Sequence, residues 1–166
     1  MITLKPITIL SEDMPECIAL NVIPHKLEEE FVLTNALILA NAYYHETREM
    51  EPWICRAIYK DEKMVGLISY LYEKNHEVYK EDCYNICPIM VDKDYANQGI
   101  EAEALSLILT ELRTKPYGSA DNVYALYNLA EDDMALVYSD AGFTVTDLDF
   151  SAVTLNNEKI VAKLAL

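Results

Sequence analysis

Apolar and polar residues follow two periods along the chain, and these periods predict strands and helices in a mixed order. Residues 2–10 alternate around Pro6, which favours a strand at the edge of a sheet. Asp13 and Glu16 have the spacing of a capping box, so a helix is expected to begin there. Residues 27–49 predict a second helical region, either one interrupted helix or two short ones.

The middle of the chain predicts three strands. Two β-rich runs, residues 53–59 and 64–72, flank a short polar connection and predict an antiparallel hairpin. After a charged loop, residues 83–92 predict a further strand. Pro88 lies inside this strand and cannot donate a ladder hydrogen bond, so we expect a bulge or a splayed edge at that point.

The last third predicts two helices and three strands. A helix is expected to begin at Gly99 and to end at residues 115–118. Its predicted apolar face consists of Ala102, Leu105, Ile108, Leu109 and Leu112. Four later elements are expected: a strand at 123–127, a helix at 131–140, and closing strands at 143–150 and 160–166. The order of elements is therefore β, α, α, β, β, β, α, β, α, β, β, which indicates an α/β (α+β) protein.

Length and composition indicate a globular protein. A chain of 166 residues fits one domain, residues 1–166, and its 52% hydrophobic and 25% charged content is that of a folded protein. No stretch approaches the roughly 20 apolar residues that a membrane span needs. The first residues lack the pattern of a signal peptide, so we expect a cytoplasmic location and no membrane contact.

The net charge and the cysteine content indicate which ligands and cross-links to expect. The formal net charge of −15 repels nucleic acid phosphates and favours cationic small molecules, although it also serves solubility alone. The four cysteines are expected to be free thiols. Cys83 and Cys87 are about 13 Å apart along the predicted strand, too far for a disulfide or a shared metal, and we expect no metal site.

The order of elements, together with the segment 138–143 that joins the last helix to a strand, resembles GNAT N-acetyltransferases. The similarity is closest to the spermine/spermidine acetyltransferase branch. It is carried by residues 15–18, 31–35, 39–40, 64–66, 90–92, Tyr138 and 142–143. The resemblance implies a mixed central sheet of six to seven strands flanked by about four helices. It further implies acetyl-CoA as cosubstrate, a small-molecule amine such as a polyamine as acceptor, and a homodimer.

In that family a glycine-rich loop before a helix cradles the pyrophosphate of coenzyme A with backbone amides. Residues 96–102 correspond to this loop, and of its glycines only Gly99 is present, while Ala102 stands where a basic residue is expected. The predicted cofactor contacts in the loop are Asn97, Gln98, Gly99, Ile100, Glu101 and Ala102.

Two residues of this loop change the affinity that we expect for acetyl-CoA. Asn97 tolerates the left-handed conformation and can replace one glycine. Glu101 carries a negative charge where phosphates would lie, and like charges about 4 Å apart repel by roughly 4 kcal/mol in a surface dielectric. The alternative is that Glu101 follows the helix-dipole preference for an acid in the first turn.

The resemblance also assigns catalytic and pantetheine contacts. Tyr138 corresponds to the general acid that protonates the departing thiolate, although it equally suits a packing role. The amides near Met90 and Val91 would hold the pantetheine arm and polarise the thioester carbonyl. Glu131 stands where the family has an asparagine.

Glu81 and Asp82 are candidates for a general base that acts through water, or they simply form a solvated loop end.

Two interpretations of the function remain open. The leading hypothesis is an N-acetyltransferase acting on a primary amine. The alternative is a non-catalytic binding or dimerisation module with the same fold, in which the altered loop has lost acetyl-CoA.

Overall fold

The computed structural model describes residues 1–22, 25–26, 32–128, 132–148 and 159–166. The first half of the chain contributes β1 (Ile2–Pro6), α1 (Met14–Ala19), β2 (His25–Lys26), β3 (Val32–Leu33), α2 (Asn35–Thr47), β4 (Trp53–Lys60) and β5 (Lys63–Glu73). The second half contributes β6 (Cys83–Ile86), β7 (Met90–Val91), α3 (Ile100–Leu112), β8 (Asn122–Asn128), α4 (Asp132–Asp140), β9 (Thr144–Val145) and β10 (Lys159–Ala165).

One mixed sheet organises these elements. Its strand order is β1-β4-β5-β6-β8-β10-β9, and β7 lies beside β5. The pair β6 and β8 is parallel, whereas the other pairs of this sheet are antiparallel. The short strands β2 and β3 form a separate two-stranded sheet. The mixed sheet with its four described helices confirms the predicted fold class.

The predicted strand 83–92 is divided into β6 and β7, which confirms the splay expected at Pro88. The N–H of Cys87 still donates to the carbonyl oxygen of Ser69 at 2.9 Å. Pro88 has no N–H to continue this ladder, and pairing with β5 resumes only where Met90 faces Leu67. This division is the reason that the sheet has eight strands, one more than the upper end of the predicted range.

The two faces of the sheet carry separate apolar cores. On one face, α3 and α4 pack over the largest cluster, which includes Tyr70, Tyr84, Leu105, Ile108 and Tyr138. On the other face, α1 and α2 cover β4 and the start of β5 through Cys17, Ile38, Leu39, Cys55 and Leu67. No helix within the described ranges is long and apolar enough to cross a membrane.

The capping box predicted for α1 is wrong. Asp13 is the residue before the helix, but its side chain makes no capping hydrogen bond. The carboxylate instead accepts a hydrogen bond from the hydroxyl of Tyr59 at 2.8 Å. The Asp13 carboxylate therefore binds the distant Tyr59 hydroxyl and not the backbone N–H groups at the start of α1.

The helical prediction for residues 27–49 is correct only for its second part. Strand β3 occupies Val32 and Leu33, and α2 begins at Asn35. Thr34 caps this helix, since its hydroxyl accepts the N–H of Leu37 at 3.3 Å. Residues 27–31 lie outside the described part of the chain.

Two smaller differences concern the last third. Ala102 is exposed, and Ala104 takes its predicted place on the buried face of α3. Of the predicted strand 143–150, only β9 pairs, and residues 149–150 lie outside the described ranges.

A close backbone approach at Gly66 fixes the spacing between β5 and β7. A Cβ atom at Gly66 would lie 2.5 Å from the backbone oxygen of Met90, which cannot move without shifting β7. We expect Gly66→Ala to destabilise the fold by about 1–3 kcal/mol, the usual cost of overpacking. Thermal unfolding should show a midpoint lowered by several degrees. Ser106→Ala, at an exposed position of α3, is the control, and an unchanged midpoint for Gly66→Ala would contradict the close approach.

Candidate functional site

The only parallel strand pair of the described sheet opens into a wedge. Strands β6 and β8 are paired from Cys83 to Ile86 and from Asn122 to Ala125. Beyond this point β7 pairs with β5, and residues 126–128 of β8 pair with β10. The two strands therefore part, and we call the space between β7 and the end of β8 the wedge.

The wedge presents a backbone N–H from β7. The N–H of Asp92 donates to the carbonyl oxygen of Val65 at 2.8 Å, across to β5. Because successive residues of a strand direct their N–H groups to opposite sides, Met90 also faces β5 and Val91 faces the wedge. Of the two amides that the sequence suggested, that of Val91 is the one directed away from β5, on the side where Val22 forms a bridge with Asp92.

The turn that follows β7 leads the chain into α3 with two left-handed residues. A short 3-10 turn at Lys93–Tyr95 precedes them. Asn97 has φ 60°, and Gly99 has φ 72°, so the predicted left-handed conformation of Asn97 is observed. Within the described part of the chain, no atom lies within 4 Å of the place where a Cβ of Gly99 would stand. This side of Gly99 is open to a ligand.

The first turn of α3 has backbone donors that no described residue binds. Gly99 occupies the N-cap position and offers no side-chain cap, and the first internal bond runs from Glu103 N–H to the Gly99 carbonyl. The N–H groups of Ile100, Glu101 and Ala102 therefore point off the helix end. Ile100 is buried in the core and Ala102 is small, so neither side chain fills the space in front of these donors. Such a helix end favours an anion.

Two lysines that the sequence analysis missed lie beside this loop. Lys60 Nζ donates to Gln98 Oε1 at 2.5 Å. Lys60 and Lys63 stand 5.8 Å and 5.0 Å from the centre of the Tyr95 ring. A hydrogen bond with Tyr95 raises the pKa of Lys63. The tip of the β4–β5 hairpin thus places positive charge beside the loop, which itself has Ala102 at the position where a basic residue was expected. The sequence carried no signal for this contact, because Lys60 and Gln98 are 38 residues apart.

Glu101 is half-exposed in the first turn of α3. Among the described residues, no hydrogen bond or ion pair holds its carboxylate. The neighbouring Glu103, by contrast, accepts the N–H of Ile2 at 3.2 Å. Two statements about Glu101 therefore remain predictions: that its charge repels a bound phosphate, and that the helix dipole favours an acid at this position.

Tyr138 lies against the wall of the wedge that β8 forms. Its side chain is 2% exposed on α4, stacked on Tyr127 at 5.4 Å and edge-on to Phe143 at 5.3 Å between ring centres. Tyr127 belongs to the part of β8 that follows the separation from β6. The packing role is visible in these contacts, and the role of general acid stays a prediction. Glu131 lies outside the described residues.

Glu81 and Asp82 hold the loop before β6 in place. Glu81 accepts hydrogen bonds from Tyr124 and Asn122 and lies 3.4 Å from Lys163 Nζ. Partial burial alone would raise the pKa of Glu81, but the Tyr124 hydroxyl and the Lys163 charge outweigh it and lower the pKa. A carboxylate stabilised in this way is a poor base. Asp82 accepts the hydroxyl of Tyr72 and the N–H of Asn75.

The wedge, the turn at Gly99 and the uncapped helix end define a mixed α/β protein with a candidate anion-binding site beside a parted strand pair. The sequence profile of the acetyltransferase (GNAT) family matches residues 18–143. The chain therefore belongs to this family. No curated protein matches the chain in sequence.

Solved structures share the fold at low sequence identity. The ribosomal-protein-S18-alanine N-acetyltransferase from Escherichia coli is 15% identical, with a TM-score of 0.67 over 99% of this chain and 94% of the other. A GNAT family acetyltransferase from Elizabethkingia anophelis with acetyl-CoA bound is 14% identical, with a TM-score of 0.65 over 99% and 98%. The Bacillus subtilis acetyltransferase in complex with CoA is 10% identical, with a TM-score of 0.66 over 100% and 99%. Such likeness shows the fold alone.

The structural role of Glu81 predicts a pH dependence of stability. Because the pKa of Glu81 in the folded state lies below its ordinary value, its contribution to stability is present above that ordinary value and is lost as the pH falls through the folded-state pKa. Glu81→Gln should therefore lower the urea midpoint at neutral pH, with a difference that shrinks as the pH falls below the ordinary pKa of a glutamate. Glu77→Gln, an exposed carboxylate of the same loop, is the control. A difference that is constant with pH would argue against the ionised role.

Proposed function

We propose that the protein is an N-acetyltransferase that moves an acetyl group from acetyl-CoA to a primary amine, with a polyamine as the preferred acceptor. The observation that supports it most is that the wedge between β7 and β8 is followed directly by the turn that leads to the uncapped end of α3. Membership of the acetyltransferase (GNAT) family supports the same chemistry.

The residues present fit acetyl-CoA despite the altered loop. Gly99 leaves open space above its Cα atom, and Asn97 takes the left-handed conformation in place of a glycine. The N–H groups of the first turn of α3 would bind the pyrophosphate. Acetyl-CoA supplies the acetyl group as a thioester, whose activation makes transfer to an amine favourable.

The chain's own groups then have separate tasks. The N–H of Val91 would donate to the pantetheine arm along the wedge and orient it. Tyr138 would give its phenolic proton to the departing sulfur as the C–S bond breaks and the new C–N bond forms. The neutral amine loses one N–H proton as the C–N bond forms, and this proton restores the Tyr138 phenol through solvent, so the proton count balances.

The choice of acceptor rests on charge and on the resemblance to the spermine/spermidine branch. A formal net charge of −15 attracts polycations and raises their local concentration at the surface. The fold alone does not fix an acceptor.

The first prediction for this function concerns acetyl-CoA affinity. Calorimetric titration should show binding at micromolar affinity, about −8 kcal/mol. Lys60→Met should weaken it by roughly threefold to tenfold, because it removes a positive charge beside the phosphate site, and the loss should diminish at high salt.

Lys74→Met is the matched control for this titration. Lys74 is exposed just after β5, at the opposite end of that strand from the loop. Absence of binding to the native protein would refute the proposed function. Equal affinities for native protein and Lys60→Met would show only that the hairpin lysine does not contribute.

The second prediction concerns the proton donor. Tyr138→Phe keeps the ring that stacks on Tyr127 and removes only the hydroxyl. We expect kcat to fall about 100-fold, the typical contribution of a general acid, while acetyl-CoA affinity stays within about twofold. Steady-state rates and the same titration would measure both quantities. A variant with full kcat would remove Tyr138 from the mechanism and leave it as a packing residue.

A further inference from the structure

A cavity of about 310 Å³ lies between α2, the start of β4 and the chain that follows β1. Its apolar walls include Ile7, Leu39, Ala42, Trp53 and Cys55. Ile7, Leu39 and Cys55 are at most 4% exposed, so these walls belong to the packed core. An apolar cavity of about 150 Å³ holds a benzene ring, and twice that volume has room for a ring with a short side chain.

Helix α2 supplies one side of the cavity. The residues that it contributes are Leu39, Ala42, Tyr43 and Glu46. These positions are three or four residues apart, so they share one face of the helix. The small side chain of Ala42 leaves room between the helix and the sheet. Glu46 ends this otherwise apolar and aromatic face with a carboxylate.

The position of Glu46 does not stabilise the helix. Because α2 ends at Thr47, Glu46 lies in the last turn, where the helix dipole disfavours a negative charge. Within the part of the chain that the structure describes, no hydrogen bond or ion pair holds its carboxylate. The nearby Arg48 lies over the ring of Tyr44, 5.6 Å from its centre. The charge of Glu46 is therefore available to a ligand.

The cationic residue at the cavity, Arg56, is already paired. Its Nη2 donates to Glu111 Oε1 at 2.5 Å, and its Nε donates to Glu111 Oε2 at 3.2 Å. Glu111 belongs to α3, which packs on the opposite face of the sheet. Among the described residues that line the cavity, Glu46 thus carries the uncompensated charge.

The cavity is separate from the wedge. The indole N–H of Trp53 donates to Ser69 Oγ at 3.2 Å, and its ring lies edge-on to His45 with 5.3 Å between the ring centres. Cys55 pairs with Ser69 in the β4–β5 ladder, and the Ser69 carbonyl accepts the N–H of Cys87. The cavity wall on β4 is therefore two strand spacings, about 10 Å, from the strand at which the wedge begins.

We propose that this cavity binds a small arylalkyl ammonium ion, with one aromatic ring and a short chain that ends in a primary ammonium group. The ring would lie beside Trp53, and the ammonium group would lie at Glu46. Tyr43 and Met50 also line the cavity and are 40% and 43% exposed, so they border its entrance. Such a ligand would bind in addition to the two substrates, because its ammonium group lies at α2 and away from the wedge. The inference does not rest on the proposed acetyl transfer.

The single tryptophan of the chain, Trp53, lines the cavity and reports on its occupancy. Titration with 2-phenylethylamine, without acetyl-CoA, should change the tryptophan emission in a saturable way. 2-Phenylethanol has nearly the same size and is neutral, so it should bind about threefold to fivefold more weakly. Glu46→Gln should weaken binding of the amine by the same factor and leave that of the alcohol within about twofold. Glu49→Gln removes an exposed carboxylate outside the lining and is the control.

A second variant tests the location of the ligand. Ala42→Leu places three more carbon atoms in the cavity and should weaken binding of the amine at least tenfold. Ala40→Leu makes the same change at an exposed position of α2 and should bind like the native protein. Thermal unfolding of each variant would show that it is folded.

Each outcome decides the inference without any measurement of acetyl transfer. Absence of a saturable change in the native protein would overturn it. Equal affinities for the amine and the alcohol, or an equal effect of Glu46→Gln on both, would refute recognition of the ammonium group by Glu46. Unchanged affinity in a folded Ala42→Leu variant would show that the ligand binds elsewhere, and the assignment of this cavity would be wrong.

Discussion

The missing N–H of Pro88 is the constraint on which the candidate site depends. Cys87 donates the last ladder hydrogen bond of β6, to Ser69, and the chain then lacks a donor where the next bond would form. β7 therefore continues beside β5, Asp92 directly after it forms a bridge with Val22, and the end of β8 stays with β10. In an uninterrupted parallel pair, the N–H of Val91 would be directed at the neighbouring strand. The break separates β7 from β8, and Gly66 keeps β7 close to β5.

The anion site at the end of α3 is built from backbone geometry more than from side chains. Left-handed φ values at Asn97 and Gly99 turn the chain so that the first N–H groups of α3 point outwards. Backbone donors survive the loss of the family's other glycines as long as the turn keeps its shape, which Asn97 achieves. The positive charge comes from another part of the chain, since Lys60 and Lys63 are presented by the β4–β5 hairpin. A loop that departs from the family pattern in sequence therefore keeps the features that an anion needs.

The sequence predicted the features that local chemistry determines and missed those that long-range contacts determine. The hairpin of β4 and β5, the break at Pro88 and the left-handed Asn97 all follow from periodicity or from the properties of single residues. The capping box failed because Tyr59, 46 residues away, binds the Asp13 carboxylate. The contact of Lys60 with Gln98 spans 38 residues. Periodicity carries no information on such pairs, so the lysines entered only with the structure.

Charge is distributed unevenly over a chain that is strongly acidic as a whole. With 28 acidic and 13 basic residues, an anionic cosubstrate meets repulsion almost everywhere on the surface. Lys60 and Lys63 lie beside the loop at the end of α3, where the helix dipole also favours an anion. Attraction for an anion is therefore concentrated at one helix end, where two lysines from a distant hairpin and the backbone N–H groups of α3 act together.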